Sequence, residues 1–139
     1  RNFGGIARSA ECAGAHGLIT PLKNSAPVNG DAIRSSAGAL NNIPVCRVGS
    51  IRNTLKTLQT EGFQVVAATE KSTKLLYDAD LRKPTVIVMG SEEKGISKEV
   101  LKLCDEQLAI PMIGAIESLN VAAAAAIMLF EVVRQRIGE

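Results

Sequence analysis

The sequence predicts an α/β domain in which a parallel sheet carries helices on both faces. Two observations lead to this class. Strand-like and helix-like segments alternate from end to end, and several strand segments are unbroken apolar runs of the kind that strands covered on both faces require. At 139 residues and 46% hydrophobic composition, the chain has the size of one domain and the apolar material for a core.

Asn2 is a good N-cap for a helix over residues 2–13, which Gly14 and Gly17 close before the short apolar run Leu18-Ile19-Thr20. Residues 21–31 read as a loop, 32–40 as a helix and 44–48 as a strand. Ser50 then caps a helix whose apolar Ile51, Leu55 and Leu58 share one face and which Gly62 ends; residues 63–68 form the next strand. A connection carrying Lys71, Lys74, Arg82 and Lys83 leads to 85–89, a strand expected to be buried on both faces, which stops at Gly90. Ser97 caps a helix to about Cys104, residues 108–112 make a further buried strand, and Ser118 caps a long helix reaching Arg136. The sequence contains no internal repeat, low-complexity tract or domain linker.

Composition narrows the function classes. The formal charge is only +2, so any nucleic-acid role rests on where the basic residues sit. Aromatic residues make up 3% and tryptophan is absent, which argues against a stacking platform for single strands. Cys12, Cys46 and Cys104 fit neither a disulfide framework nor paired zinc ligands, and a reducing, cytoplasmic setting is expected. The most apolar stretch, residues 121–130, is about half the length needed to cross a bilayer, so no membrane role is expected. His16 is the only histidine. A zinc cluster or a Ser-His-Asp machine is therefore disfavoured, and no metal is expected.

In an open α/β sheet, ligands bind beyond the carboxyl ends of the strands. Three segments stand out as loops there: Asn2-Phe3-Gly4-Gly5-Ile6-Ala7-Arg8, Gly90-Ser91-Glu92-Glu93-Lys94-Gly95, and residues 110–120. The second lacks both the dinucleotide fingerprint and the Walker pattern. Taken alone it reads as a tight strand-to-helix turn needing positive φ at Gly90 and Gly95, with Glu92 favoured by the helix dipole. In the third, Pro111, Gly114 and the Ser118-Leu119-Asn120 triplet outline a concave rim. Ser118 reads there as an N-cap, and Asn120, if buried, needs a polar partner from another loop or a ligand. The alanines at 122–126 allow a neighbouring backbone to approach closely.

In this order and spacing the three segments resemble the motifs of the TrmH/RlmB branch of the SPOUT RNA 2'-O-ribose methyltransferases. Asn2, Gly4 and Arg8 match the first motif, whose preceding Asp-Pro pair is missing; Val88-Met89-Gly90-Ser91-Glu92 with Gly95 match the second; Ile110-Pro111-Met112, Gly114 and Ser118-Leu119-Asn120-Val121 match the third. The resemblance spans the whole chain. It implies a C-terminal deep trefoil knot, a departure from the rule against knotted chains. It also implies an S-adenosylmethionine site at Gly90, Ile110 and Leu119, and a reacting centre set by Asn2, Arg8, Glu92, Ser118 and Asn120. Arg8 would activate or position a ribose hydroxyl, and Glu92 would order its loop. The RNA would be ribosomal, on the wording of the third motif; a tRNA ribose methyltransferase and a non-catalytic knotted RNA-binding protein are the alternatives. The resemblance further implies a homodimer, with Arg134-Gln135-Arg136 at the interface or as solvated tail charges. Because the chain opens inside the first motif, residues 1–139 are expected to be the catalytic domain of a longer protein, with the first strand and an N-terminal substrate-binding domain ahead of it.

Overall fold

Strands joined through helices pair in parallel, because a crossover returns the chain to the end from which it set out. Every strand pairing in the computed structural model is of this kind. The structure describes residues 2–23 and 29–138. Arg1 and the 24–28 part of the expected loop lie outside the described residues. The chain divides into two compact units, Arg1–Ile51 and Arg52–Glu139.

In the first unit, α1 (Asn2–Cys12) leads to β1 (Leu18–Pro21), and α2 (Gly30–Ser35) leads through a 3₁₀ turn to β2 (Val45–Val48), with β1 and β2 in register from Leu18 opposite Val45 to Pro21 opposite Val48. The first motif, grouped above with the loops, lies on the helix expected over residues 2–13, which runs as α1. Its buried face is Gly4, Ala7 and Ala10, and a side chain at Gly4 would meet the Cβ of Ser35 at 2.5 Å and the carbonyl of Ala32 at 2.7 Å. Glycine here is what lets α1 and α2 touch. The helix expected over 32–40 breaks after Ser35. The fully buried Ser36 hydroxyl donates to the Ile33 carbonyl and accepts from Leu40 N–H, and Ala37 and Gly38 then take positive φ before the 3₁₀ turn Ala39–Asn41.

The second unit begins within α3 (Ile51–Thr60), at Arg52, since the first residue of that helix ends the first unit. It contains β3 (Gln64–Ala68), β4 (Thr85–Val88), α4 (Lys98–Leu103), β5 (Glu106–Leu108) and α5 (Val121–Ile137). The sheet order is β4-β3-β5. The central strand β3 is therefore the fully buried one, with Val65, Val66 and Ala67 at 0% exposure. By contrast β4, expected to be buried on both faces, lies at an edge of this sheet and is only half-buried. The strand expected at 108–112 runs instead over 106–108. Ala109 makes one last bridge, opposite Leu75, and the chain leaves the ladder at Pro111, which has no N–H to donate.

Val66, Leu76, Leu81, Leu108 and Met128 are all fully buried and form one cluster with Ala79. Leu76 and Leu81 come from the charged connection, for which sequence reading named no core residue. That connection is held by α5: Gln135 accepts from Leu81 N–H (2.7 Å) and donates to the Ala79 carbonyl (2.9 Å), and Arg136 donates to the carbonyls of Leu81 (3.3 Å) and Lys83 (2.7 Å). Gln135 and Arg136 thus fasten that connection, while the side chains of Arg134 and Arg136 stay exposed. Arg134 makes a two-pronged pair with the buried carboxylate of Glu131, at 2.7 and 2.8 Å, and Gln135 donates to the same carboxylate. Cys104 donates its thiol to the Val100 carbonyl, and burial, helped by neighbouring Asp105, pushes that thiol up to about 11. It is a packing group and stays neutral.

The Arg134 hydrogen bonds hold Glu131 below the ordinary carboxylate range. A carboxylate whose pKa is lowered by folding contributes stability above its unfolded pKa and loses it as the pH falls through the folded value. Glu131→Gln is therefore expected to lower the unfolding free energy by about 1–3 kcal/mol at neutral pH. In urea unfolding followed across an acid series, the gap from the wild type should narrow as Glu131 becomes protonated.

Candidate functional site

Neighbours in the chain that lie on opposite sides of a central strand open a crevice at the carboxyl end of the sheet, and the order β4-β3-β5 creates this arrangement. A cavity of about 550 Å³ opens there. Its walls come from residues at or just beyond the end of each strand: Ala68 ending β3 and Thr69 after it, Met89 and Gly90 after β4, and Leu108 ending β5 with Ile110 after it. The last wall is Ser118, Leu119 and Asn120 with the first turn of α5, where Val121 and Ala124 line the space. The volume lies within the range of small-molecule sites, and the lining combines apolar side chains with the charged Glu70, Lys71, Glu92, Glu93, Lys94 and Glu117.

Sequence reading singled out Gly90, Glu92, Ile110, Ser118, Leu119 and Asn120, and the structure brings all six to this cavity. Asn2 and Arg8 lie on α1 in the first unit, Arg8 with an exposed side chain. Thr69, Glu70, Lys71 and Leu101 also line the cavity and were not anticipated. The signal available for the first three was their place directly after a buried strand; Leu101 had none. His16, left aside as structural or exposed, is exposed.

The second loop turns back on itself. Ser91 and Gly95 form a bridge, Gly95 N–H donates to the Ser91 carbonyl at 2.9 Å, and Lys94 N–H donates to the Ser91 hydroxyl at 3.1 Å. Gly95 has the expected positive φ of 67°, but Gly90 does not need one. A Cβ on Gly90 would lie 2.5 Å from the Gly95 carbonyl carbon and 2.7 Å from Ile96 N, so glycine is required there for close backbone approach.

The cap of α5 also differs from expectation. Asn120, not Ser118, accepts from Ala122 N–H (2.8 Å) and Ala123 N–H (3.4 Å), and Ser118 lines the cavity. Once the Asn120 carbonyl oxygen serves as cap, its amide nitrogen is directed to a second partner, and it donates to Glu92 Oε1 at 3.3 Å. Asn120 is exposed rather than buried, and the partner that sequence reading sought for it is the second loop. One residue therefore ties the two loops of the cavity together.

The polar side chains lining the cavity are amide, hydroxyl, carboxylate and, at Lys71 and Lys94, ammonium groups, with no cluster of metal ligands among the described residues. No helix among them is long and apolar enough to cross a membrane. Such a pocket suits an uncharged aromatic ring against apolar walls and backbone groups, with a polar tail at the rim.

Comparison with known proteins agrees with this geometry. The family model described as the SpoU rRNA Methylase family matches residues 1–130. The chain is 43% identical over 138 residues to an uncharacterized tRNA/rRNA methyltransferase of Mycolicibacterium paratuberculosis, covering 99% of this chain and 45% of that protein. It is 38% identical over 135 residues to the 23S rRNA (guanosine-2'-O-)-methyltransferase RlmB of Yersinia pestis, covering 97% of this chain and 55% of that one. It thus spans about half the length of these curated relatives. Among solved structures, the SpoU methyltransferase AviRb from Streptomyces viridochromogenes in complex with AdoMet superposes with a TM-score of 0.91 at 36% identity, covering 99% of this chain and 56% of that one. The TrmH/SpoU tRNA modifying enzyme of A. aeolicus superposes with a TM-score of 0.89 at 31% identity, covering 99% and 70%.

Gly90→Ala is expected to force the second loop apart at a cost of about 1–3 kcal/mol. Amide hydrogen exchange is the direct readout: Lys94 and Gly95 N–H should lose protection in the variant while Val65 to Ala67 keep theirs.

Proposed function

The chain belongs to the SpoU rRNA Methylase family, and we propose that it transfers a methyl group from S-adenosylmethionine to a ribose 2'-hydroxyl of RNA, ribosomal RNA above tRNA. The observation that carries this is the cavity itself, because two of the family's loops meet at the carboxyl ends of three strands. The residues fit the donor: Met89, Leu108, Ile110 and Leu119 offer apolar walls for an adenine, and Gly90 lies among them. Gly90, Ile110 and Leu119 would hold it, largely through main-chain groups. When bound, S-adenosylmethionine supplies an electrophilic methyl group on its sulfonium.

The chain's own residues would do the rest by positioning. Glu92 and Asn120, bonded to each other, hold the second and third loops together at the rim. Ser118 lines the same cavity. Arg8 is a phosphate grip that orients the ribose, since a guanidinium stays protonated and makes a poor base. Asn2 supports it from the start of α1. Ribosomal RNA is favoured over tRNA by the third-motif wording and by the activity named for the Yersinia relative. Retention of Arg8, Glu92, Ser118 and Asn120 together argues against a non-catalytic role. The C-terminal segment is the part expected to be knotted, and the free thiols of Cys12, Cys46 and Cys104 suit a reducing cytoplasm.

A homodimer belongs to this reading. Ile127 packs on the core, whereas Ile113 (92% exposed), Ile116 (76%), Phe130 (45%) and Ile137 (78%) do not. These are the side chains a second copy would cover. Light scattering at micromolar concentration is expected to give a dimer mass, and Ile113→Asp with Ile116→Asp should shift it toward the monomer.

Calorimetry and a labelled-methyl assay with ribosomal RNA test the reading. The chain should bind S-adenosylmethionine, and Arg8→Ala should lose at least a hundredfold in transfer rate with donor affinity nearly unchanged. Wild-type rates in the variant would remove Arg8 from the mechanism, and failure of the folded protein to bind the donor would remove the function.

A further inference from the structure

A second depression, of about 400 Å³, lies between α3 and α4 and is lined by Arg52, Lys56, Glu99, Lys102 and Leu103. Arg52 and Lys56 are spaced to share one face of α3, and that helix contains no acidic residue. The groove carries three cations against one carboxylate, a surplus equal to the formal net charge of the entire chain. All four charged side chains are exposed, and among the described residues the three cations make no ion pair.

The acid that follows α4 forms no ion pair with them. Asp105 is engaged by Val65 N–H at 2.7 Å and by the Gln59 amide at 3.1 Å, and the same Gln59 nitrogen donates to the Leu103 carbonyl at 2.8 Å. Gln59 thereby pins the floor of the groove to α3. The spacing of its walls is set before anything binds, which spares a ligand the cost of ordering them. One half-buried leucine is the only apolar group, and there is no aromatic residue. A protein partner would lack the apolar anchor that interface cores depend on. A run of phosphates needs none.

We propose that the α3–α4 groove is a sequence-independent contact for the RNA phosphate backbone, distinct from the methyl-donor cavity. The two sites share α4: Leu101 faces the cavity, while Lys102 and Leu103 line the groove. RNA held along the groove is thus anchored by the helix that also walls the donor site. This inference rests on the RNA-methyltransferase reading and adds to it a second anchor, which contributes affinity and no base selectivity.

The test measures binding of the whole chain to a fluorescein-labelled RNA hairpin across a salt series. The variants are Arg52→Gln, Lys56→Gln and Lys102→Gln, singly and combined, with Lys74→Gln, whose charge is paired with Glu106, as a control. Each lost phosphate contact should flatten the plot of log affinity against log salt by about 0.7–0.9, hence about 2–3 for the triple variant, with affinity at low salt at least tenfold weaker. Binding of S-adenosylmethionine should be unchanged, which also reports that the variant is folded. A triple variant with the wild-type slope, or RNA displaced by polyglutamate as readily as by unlabelled hairpin, overturns the inference while leaving the methyltransferase reading intact. A wild-type chain that holds S-adenosylmethionine yet binds no RNA overturns both.

Discussion

A strand paired on both edges has no free backbone groups and, when covered on both faces, no place for a polar side chain. In this chain β3 carries that constraint: Val65, Val66 and Ala67 are sealed from solvent, and β4 and β5 bond to its two sides. Because β4 follows β3 on one side and β5 must cross to the other, the three chains part company at their carboxyl ends. The cavity is the space left by that parting. Its position follows from strand order before any particular loop residue is considered.

The loops then give the space its form, and each does so by a different physical device. Around Gly90 the backbone folds against itself so tightly that a methyl group has no room. At Asn120 one amide performs two tasks, capping α5 with its oxygen and bonding Glu92 with its nitrogen. The cap fixes the direction in which α5 leaves, and α5 returns at its far end to fasten the 79–83 connection through Gln135 and Arg136. Loop, helix and core are thus one mechanical chain, with the buried Glu131 pair in the last turns of the helix.

Much of this was legible in the sequence, and the misses have identifiable causes. Alternation of elements gave parallel pairing, and the motif spacing gave six residues of the cavity. Periodicity, however, does not report strand order: the run 85–89 looks more buried than 64–68, yet β4 has an edge and β3 does not. Composition hid Leu76 and Leu81 among charged neighbours, although these two leucines are fully buried. Ser118 and Asn120 are equally good caps by residue type, and only the hydrogen bonds separate them. The helix at residues 2–13 was legible from its cap and closing glycines, while the packing role of Gly4 needed the neighbouring helix to be seen. The groove at Arg52, Lys56 and Lys102 was invisible because its cations come from segments some fifty positions apart.

The central claim is that this architecture directs a methyl group to a ribose hydroxyl and to no base atom. Nucleoside analysis tests it most directly: incubate the protein with ribosomal RNA and S-adenosylmethionine, digest the RNA to nucleosides and fragment them by mass spectrometry. The account requires the added methyl to stay with the sugar fragment. A methyl found on the base fragment would contradict it.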